Sequence, residues 1–288
     1  MDFSALDFLH HRGRLTLFIF LLMIAEFFWL RYAATRDEGV SVRRFGAPYD
    51  IRESLATIGI VIGQIAVRAA VAPVLAPVYR LAAAHHLAAI EMRGVLPWLT
   101  LVVLVDFLYY WFHRASHTVA VFWASHSVHH SSTRFNLSAA YRLGWTNILS
   151  AGWLVAVLPI LIGFPPLAVM LVFGLNLTYQ LFLHTTLVGS LGPLEWVLNT
   201  PGHHRVHHAT NPACIDRNFG GMLIIFDRLF GTFATAPRDE ALRYGTQGRP
   251  LSYNPLRIAF GGWLQLLAAM RRAGSAAAAV KLLFGRPA

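Results

Sequence analysis

Five histidines, His113, His117, His126, His129 and His130, fall within 18 residues, and three more, His204, His207 and His208, follow about eighty residues later. The spacing H-x-x-H-H occurs twice, as H-S-V-H-H (126–130) and H-R-V-H-H (204–208), and His113 and His117 are four apart. On a helix, positions i, i+3 and i+4 share a face. Each group is therefore expected to point its imidazoles at one place. Neutral imidazole is a ligand for iron, zinc, copper and nickel. Eight such rings, nine with His184, exceed what one ion can use and suit two. No Glu follows His113, His126 or His204, so the H-E-x-x-H pattern of zinc proteases is missing. The Glu-x-x-His of soluble di-iron bundles is missing too. Redox-active iron leads, and the residues alone leave zinc and copper open. His10, His11, His85 and His86 lie outside the pattern, and His203 reads as ligand or bystander alike.

Metal-bound imidazoles need an acceptor for the other ring N–H. Asp106, Glu195, Asp216, Asn218 and Asp227 are the candidates. Asp106 stands out, because it sits two helical turns before His113 in an apolar run where a charge is expensive.

The histidines must be positioned by membrane helices. Of 288 residues, 56% are hydrophobic and 13% charged, against roughly 25% charged in soluble domains. The net charge of +10 is almost all arginine. A nucleic-acid partner is not expected, since the arginines lie among apolar spans and are better explained by holding span ends on the cytoplasmic side. The single cysteine, Cys214, permits no internal disulfide and fits a reducing compartment. The N-terminus has no basic start or small-residue cleavage site, so it is expected to stay in the mature chain.

The expected fold is all-α: a polytopic helical bundle of about four spans with a cytoplasmic, histidine-rich helical cap, forming one membrane domain over 1–288. Spans are expected at Leu15–Tyr32, Leu55–Leu75 and Val95–Phe112. Arg68 interrupts the second, and Pro73 and Pro77 should bend or end it. The runs Ile148–Ile162 and Leu167–Leu183, split by Gly163-Phe164-Pro165-Pro166, read as a helical hairpin, one arm of which need not cross. The connection with Arg31, Arg36, Arg43, Arg44 and Arg52 then lies on the cytoplasmic side, Arg12 and Arg14 fall outside, and all histidine clusters share the cytoplasmic face. Residues 255–285 are expected either to lie in the membrane interface or to form a packed or frayed terminal helix.

The ordered pieces D-F-L-Y-Y-W-F-H-R-A-S-H (106–117), H-S-V-H-H-S-S (126–132), Q-L-F-L-H-T (180–185), T-P-G-H-H-R-V-H-H (200–208), D-R-N-F-G-G (216–221) and D-R-L-F-G-T-F (227–233) resemble the membrane-bound fatty acid hydroxylase superfamily, which includes the sterol desaturases. N-L-S-A-A-Y-R (136–142), L-G-P-L-E-W-V-L-N-T-P (191–201) and residues 214–233 are most similar to its alkylglycerol monooxygenase branch and bacterial relatives. The resemblance covers 96–233, the expected catalytic region. It implies two iron ions held by His113, His117, His126, His129, His130, His204, His207 and His208, with His184 as a ninth ligand, and O2 as co-substrate. It implies tetrahydrobiopterin as a reductant to which no residue can be assigned. There is no cytochrome b5-like domain, so a separate electron donor is expected.

The resulting expectation is O2-dependent hydroxylation, desaturation or related oxidation of a long apolar lipid, such as an ether lipid, sterol or fatty acyl chain, in a bacterial inner membrane. Tyr109, Trp111, Phe112, Trp123, Tyr141 and Phe182 would line the substrate channel or, equally, pack the spanning helices together. Two other readings stand beside it. A haem-binding electron carrier would use only two of the histidines. A metal transporter or storage protein would place ligands near mid-bilayer, whereas these sit at span ends.

Overall fold

The computed structural model describes residues 5–36 and 49–287. Arg43 and Arg44, and the side chains of His10, His11 and Arg12, lie outside the described residues. Among the described residues the chain is helical, with one isolated antiparallel bridge, Leu198 to Leu223, and no strand.

Four helices are long and apolar enough to cross a membrane: α1 (Ala5–Arg36, apolar from Arg14), α2 (Ile51–Ala84), α3 (Leu96–Thr118) and α6 (Pro166–Leu183). At 1.5 Å per residue, the 18 residues of α6 approach the roughly 30 Å of a hydrocarbon core. Many of their large apolar side chains face outward, among them Leu17, Phe20, Ile62, Ile65, Leu99 and Leu175. Lipid is the solvent that makes such a surface favourable.

The end of the second span changes, while the short hairpin arm agrees with the expectation that one arm need not cross. Pro73 and Pro77 do not end the second span, for α2 continues to Ala84, beyond the expected end at Leu75. Each proline removes one i→i−4 bond, and a long membrane helix tolerates that loss. The first hairpin arm is short: α5 (Leu154–Ile162) has 9 residues and cannot cross. It begins after a 3-10 turn at Asn147–Ser150 and Ala151, whose φ is 58°. It packs with Ala82, Leu101, Val105 and Val169 into the apolar core of the bundle.

Both ends of the bundle are tied. At one end Leu87 N–H donates to the Leu161 carbonyl and Ile90 N–H to that of Gly163. The opposite end carries every histidine of the clusters. There the chain forms α4 (Ala120–His126), 3-10 turns at His129–Ser131 and Leu137–Tyr141, α7 (Pro201–His208) and α8 (Ile225–Leu229). Helices α9 (Pro255–Arg271) and α10 (Ala276–Phe284) close the chain, packing Leu266, Trp263 and Met270 against Ala120 and Ala124 of α4.

Candidate metal centre

His113 and His117 end α3, with α4 delivering His126 and a 3-10 turn His129 and His130. His184 caps the C-terminus of α6. Helix α7, with Pro201 in its first turn and Thr200 capping the His203 N–H, carries His204, His207 and His208. The nine rings form two groups in which the ligand nitrogens lie within 4.8 Å of one another: His113, His117, His126, His130 and His207, and His129, His184, His204 and His208.

The H-x-x-H-H blocks do not each serve one centre, as the spacing led us to expect. Each block splits. Its i and i+4 histidines join one group and its i+3 histidine crosses to the other. The first block keeps His126 and His130 together and sends His129 across, while the second keeps His204 and His208 and sends His207 back. The first block is also not one continuous helix, since α4 ends at His126 and a 3-10 turn takes over at His129. Rings of the two groups lie side by side, with His130 stacked on His208 at 4.2 Å and 19°.

Hydrogen bonds set the ring orientation. Nδ1 of His113 donates to the Phe219 carbonyl at 2.9 Å, His129 to Arg142 at 3.2 Å, His184 to Gln180 at 2.8 Å and His207 to Arg217 at 2.9 Å. A carbonyl only accepts, so these four rings carry their proton on Nδ1 and present an Nε2 lone pair inward. Yet Nε2 of His129 lies 3.2 Å from Nε2 of His184, which is 3.1 Å from Nε2 of His204. Nε2 of His117, His130 and His207 is buried with no hydrogen-bond partner. Converging lone pairs out of water repel, and a cation at their focus reverses the sign. Burial also holds the rings neutral, as ligands must be. It lowers His126, His130, His184, His204 and His208 well below the ordinary 6.5, His129 to about 4 and His207 to about 3. These residues therefore fit two metal ions. An all-imidazole donor set suits iron and the other late divalent metals.

Of the five expected acceptors, none hydrogen-bonds an imidazole. Asp106 accepts from Met222 N–H (2.6 Å), Leu223 N–H (3.0 Å) and Asn176 (2.6 Å). Asp227 accepts from the N–H groups of Phe219 and Gly220 at 2.7 Å and from Thr232 at 2.6 Å. Asn218 bonds the His203 and Ala234 backbone, and Glu195 caps Leu191 N–H. Asp216 comes nearest, 3.8 Å from His117 Nδ1, too long for a hydrogen bond. Backbone carbonyls do the accepting for His113, His129, His184 and His207, and the two buried aspartates pin the 219–223 segment that supplies one of them.

Sequence reasoning passed over two carboxylates. Glu26 in α1 accepts from Thr185 Oγ1 (2.6 Å), Leu137 N–H (2.9 Å) and the Tyr49 hydroxyl, tying the first span to the residue after His184. Glu53 in α2 lies 3.2 Å from Arg142, both buried, and accepts from Ser132 and Thr133. A charge inside an apolar run was the available signal for Glu26, whereas Glu53, in the polar first turn of α2, gave none.

Of the expected channel residues, Tyr109 packs 5.4 Å from His113 and Trp123 lies 5.1 Å from His117 and 5.5 Å from His130. Phe112 sits behind Tyr109, and Trp111 turns outward against Phe230. Tyr141 and Phe182 are half-buried and stack on no imidazole among the described residues. Phe135 and Phe219, not foreseen, pack directly on the cage: Phe135 on His184 and His208, Phe219 on His113, His117 and His207. His203 stays out of both groups, packed against Phe233, and His85 is exposed at the far end of α2.

Four apolar helices bearing two buried polyhistidine groups at one end define an integral membrane protein with a two-centre histidine cage. Residues 98–232, which contain all nine histidines, match the fatty acid hydroxylase family model. It is 45% identical over 161 residues to alkylglycerol monooxygenase of Xenopus tropicalis, covering 56% of this chain and 35% of the relative. The human alkylglycerol monooxygenase is 42% identical over 163 residues, 57% of this chain and 36% of that protein. Ornithine lipid hydroxylase OlsE of Rhizobium tropici is 32% identical over 149 residues, 51% of this chain and 45% of OlsE. The chain thus matches about a third of the length of the alkylglycerol monooxygenases. The relatives are mainly eukaryotic and do not support the bacterial inner membrane expected from the sequence. No solved structure matches.

Proposed function

We propose that the chain is an O2-dependent di-iron hydroxylase of a lipid C–H bond, or an oxidase or desaturase built on the same centre. The observation that carries this reading is the pair of buried all-nitrogen groups at the end of four lipid-facing helices. The relatives, named for alkylglycerol and ornithine-lipid oxidation, support the substrate class. The ligands are His113, His117, His126, His130 and His207 for one iron and His129, His184, His204 and His208 for the other. When bound, the irons supply the reduction of O2. In hydroxylation one oxygen atom enters the C–H bond and the other leaves as water, using two electrons and two protons from a separate donor.

The protein's part is to orient and to exclude water. The carbonyls of Phe219, Arg142, Gln180 and Arg217 hold four rings in the tautomer that presents Nε2 inward. Phe135, Phe219, Tyr109 and Trp123 wall the imidazoles with apolar surface. The cage end also carries Arg31, Arg36 and Arg52, which supports a cytoplasmic orientation by the positive-inside rule. Exposed Leu256, Phe260, Leu264 and Leu267 beside Arg257, Arg271 and Arg272 support an interfacial position for α9 on that side.

A haem carrier would use two of nine converging imidazoles, and a transporter would need its ligands near mid-bilayer. Neither accounts for the cage. The test is lipid mass spectrometry of membranes expressing the protein under isotope-labelled O2. A lipid gaining one labelled oxygen, or two fewer hydrogens, only in the wild type and not in His129→Ala is expected. Identical lipids in both would refute the reading.

A further inference from the structure

Beside the second nitrogen group lies a cavity of about 130 Å³ whose polar lining includes Ser131, Thr133, Tyr244, Thr246, Arg249 and Arg257. That is roughly ten times the room one water needs. Tyr244 is its inner wall. The Tyr244 ring stacks on Phe135 at 5.2 Å and 24°, and Phe135 stacks on His184 at 5.5 Å and 15°. Two ring-to-ring steps therefore separate the cavity from a candidate metal ligand.

The lining contains two guanidinium groups and no carboxylate. Arg249 is half-buried, donates from Nη2 to the Ser127 carbonyl at 3.2 Å, and forms no ion pair among the described residues. A cation drawn partly out of water is costly without an anion. The nearby acids are committed elsewhere. Glu53 takes Ser132, Thr133 and Arg142, and Asp50 caps α2 and meets Tyr253 at 3.4 Å. Arg257, exposed in the first turn of α9, has no side-chain hydrogen bond or ion pair among the described residues. Exposed Leu251, Tyr253 and Leu256 lie beside the two arginines in sequence and supply apolar surface. Basic cavity, apolar surroundings and adjacent cage fit a ligand with an anionic head and an apolar body.

We propose that this cavity holds the phosphate group of a lipid substrate, gripped by Arg249 and Arg257, so that the chain acts on a phosphorylated rather than a neutral lipid. Guanidinium matches phosphate oxygens with paired N–H donors. The proposal rests on the lipid-oxidation reading for its substrate, and it puts the oxidised carbon near the headgroup, since only Tyr244 and Phe135 stand between.

The test is calorimetric binding to the full-length, iron-loaded protein in detergent, with short-chain phosphatidic acid, the matching diacylglycerol, and inorganic phosphate as probes. Phosphatidic acid is expected to bind at least about tenfold tighter than either of the others. Arg249→Gln and Arg257→Gln should each weaken it by about tenfold or more at unchanged iron content. Equal affinity for diacylglycerol, or wild-type affinity in both variants, overturns the proposal. Inorganic phosphate binding as tightly as the lipid assigns the cavity to free phosphate and overturns the headgroup role. If Arg249→Gln loosens Ser127 and loses iron, Arg257→Gln, at an exposed position, decides alone. Arginine-dependent lipid binding without any isotope-labelled product would leave the phosphate cavity in place and remove the hydroxylase reading instead.

Discussion

Nε2 of His129 faces Nε2 of His184 at 3.2 Å while the Nδ1 of each is held by a backbone carbonyl, of Arg142 and of Gln180. The two rings come from opposite sides of the cage, and their lone pairs have no shared proton to separate them. Replacing His184 with Ala should empty the four-nitrogen group and leave the five-nitrogen group filled. Metal analysis should then find one ion per chain, against two expected in the wild type. Lipid oxidation should fall by at least about a hundredfold, because the two centres act as a unit.

Asp227 touches no imidazole yet holds the Phe219 and Gly220 N–H groups, and Phe219 offers its carbonyl to His113. Asp227→Ala leaves buried donors unpaired and should cost about 3 kcal/mol of stability. Metal affinity should drop about 10- to 100-fold. Asp227→Asn, which keeps one acceptor, should recover part of both. Thermal unfolding and metal titration of the two variants check this.

Glu53 and Arg142 form a buried pair at 3.2 Å, and the Arg142 carbonyl orients His129. Glu53→Ala strands the guanidinium and should destabilise the protein by about 3–5 kcal/mol. Glu53→Gln combined with Arg142→Met should unfold at a higher temperature than Glu53→Ala, because no charge is left buried. Melting curves of the three proteins decide it.

Acid should unload and then unfold the cage. His129 and His207, ordinarily near 6.5, are lowered by burial to about 4 and about 3. Between pH 6.5 and these values the unfolded chain binds protons that the folded chain refuses. Stability therefore falls as pH drops through that window and is flat above it. Melting temperatures of chelator-treated protein from pH 8 to pH 4 should be level to about 6.5 and then decline.

Much of this was legible in the residues. The spans followed from apolar runs of about 20 residues, because a bilayer sets that length regardless of packing. The convergence of nine histidines at one end of the bundle was expected from spacing and family resemblance. The division of each block between two groups did not, since helical spacing puts i, i+3 and i+4 on one face without fixing which neighbour each ring meets. The acceptors of the ring N–H groups were missed because they are backbone carbonyls, which every residue has. Pro73 and Pro77 misled because the rule for water-exposed helices is relaxed in a long membrane helix. The Arg249–Arg257 cavity depends on α9 returning to the cage, a long-range contact with no local signal.

The metal content of the anaerobically purified protein tests the two-group cage most directly. Two irons per chain, one for each nitrogen group, are predicted, falling to one in His184→Ala. A single ion per chain, haem, or no transition metal at all would contradict it.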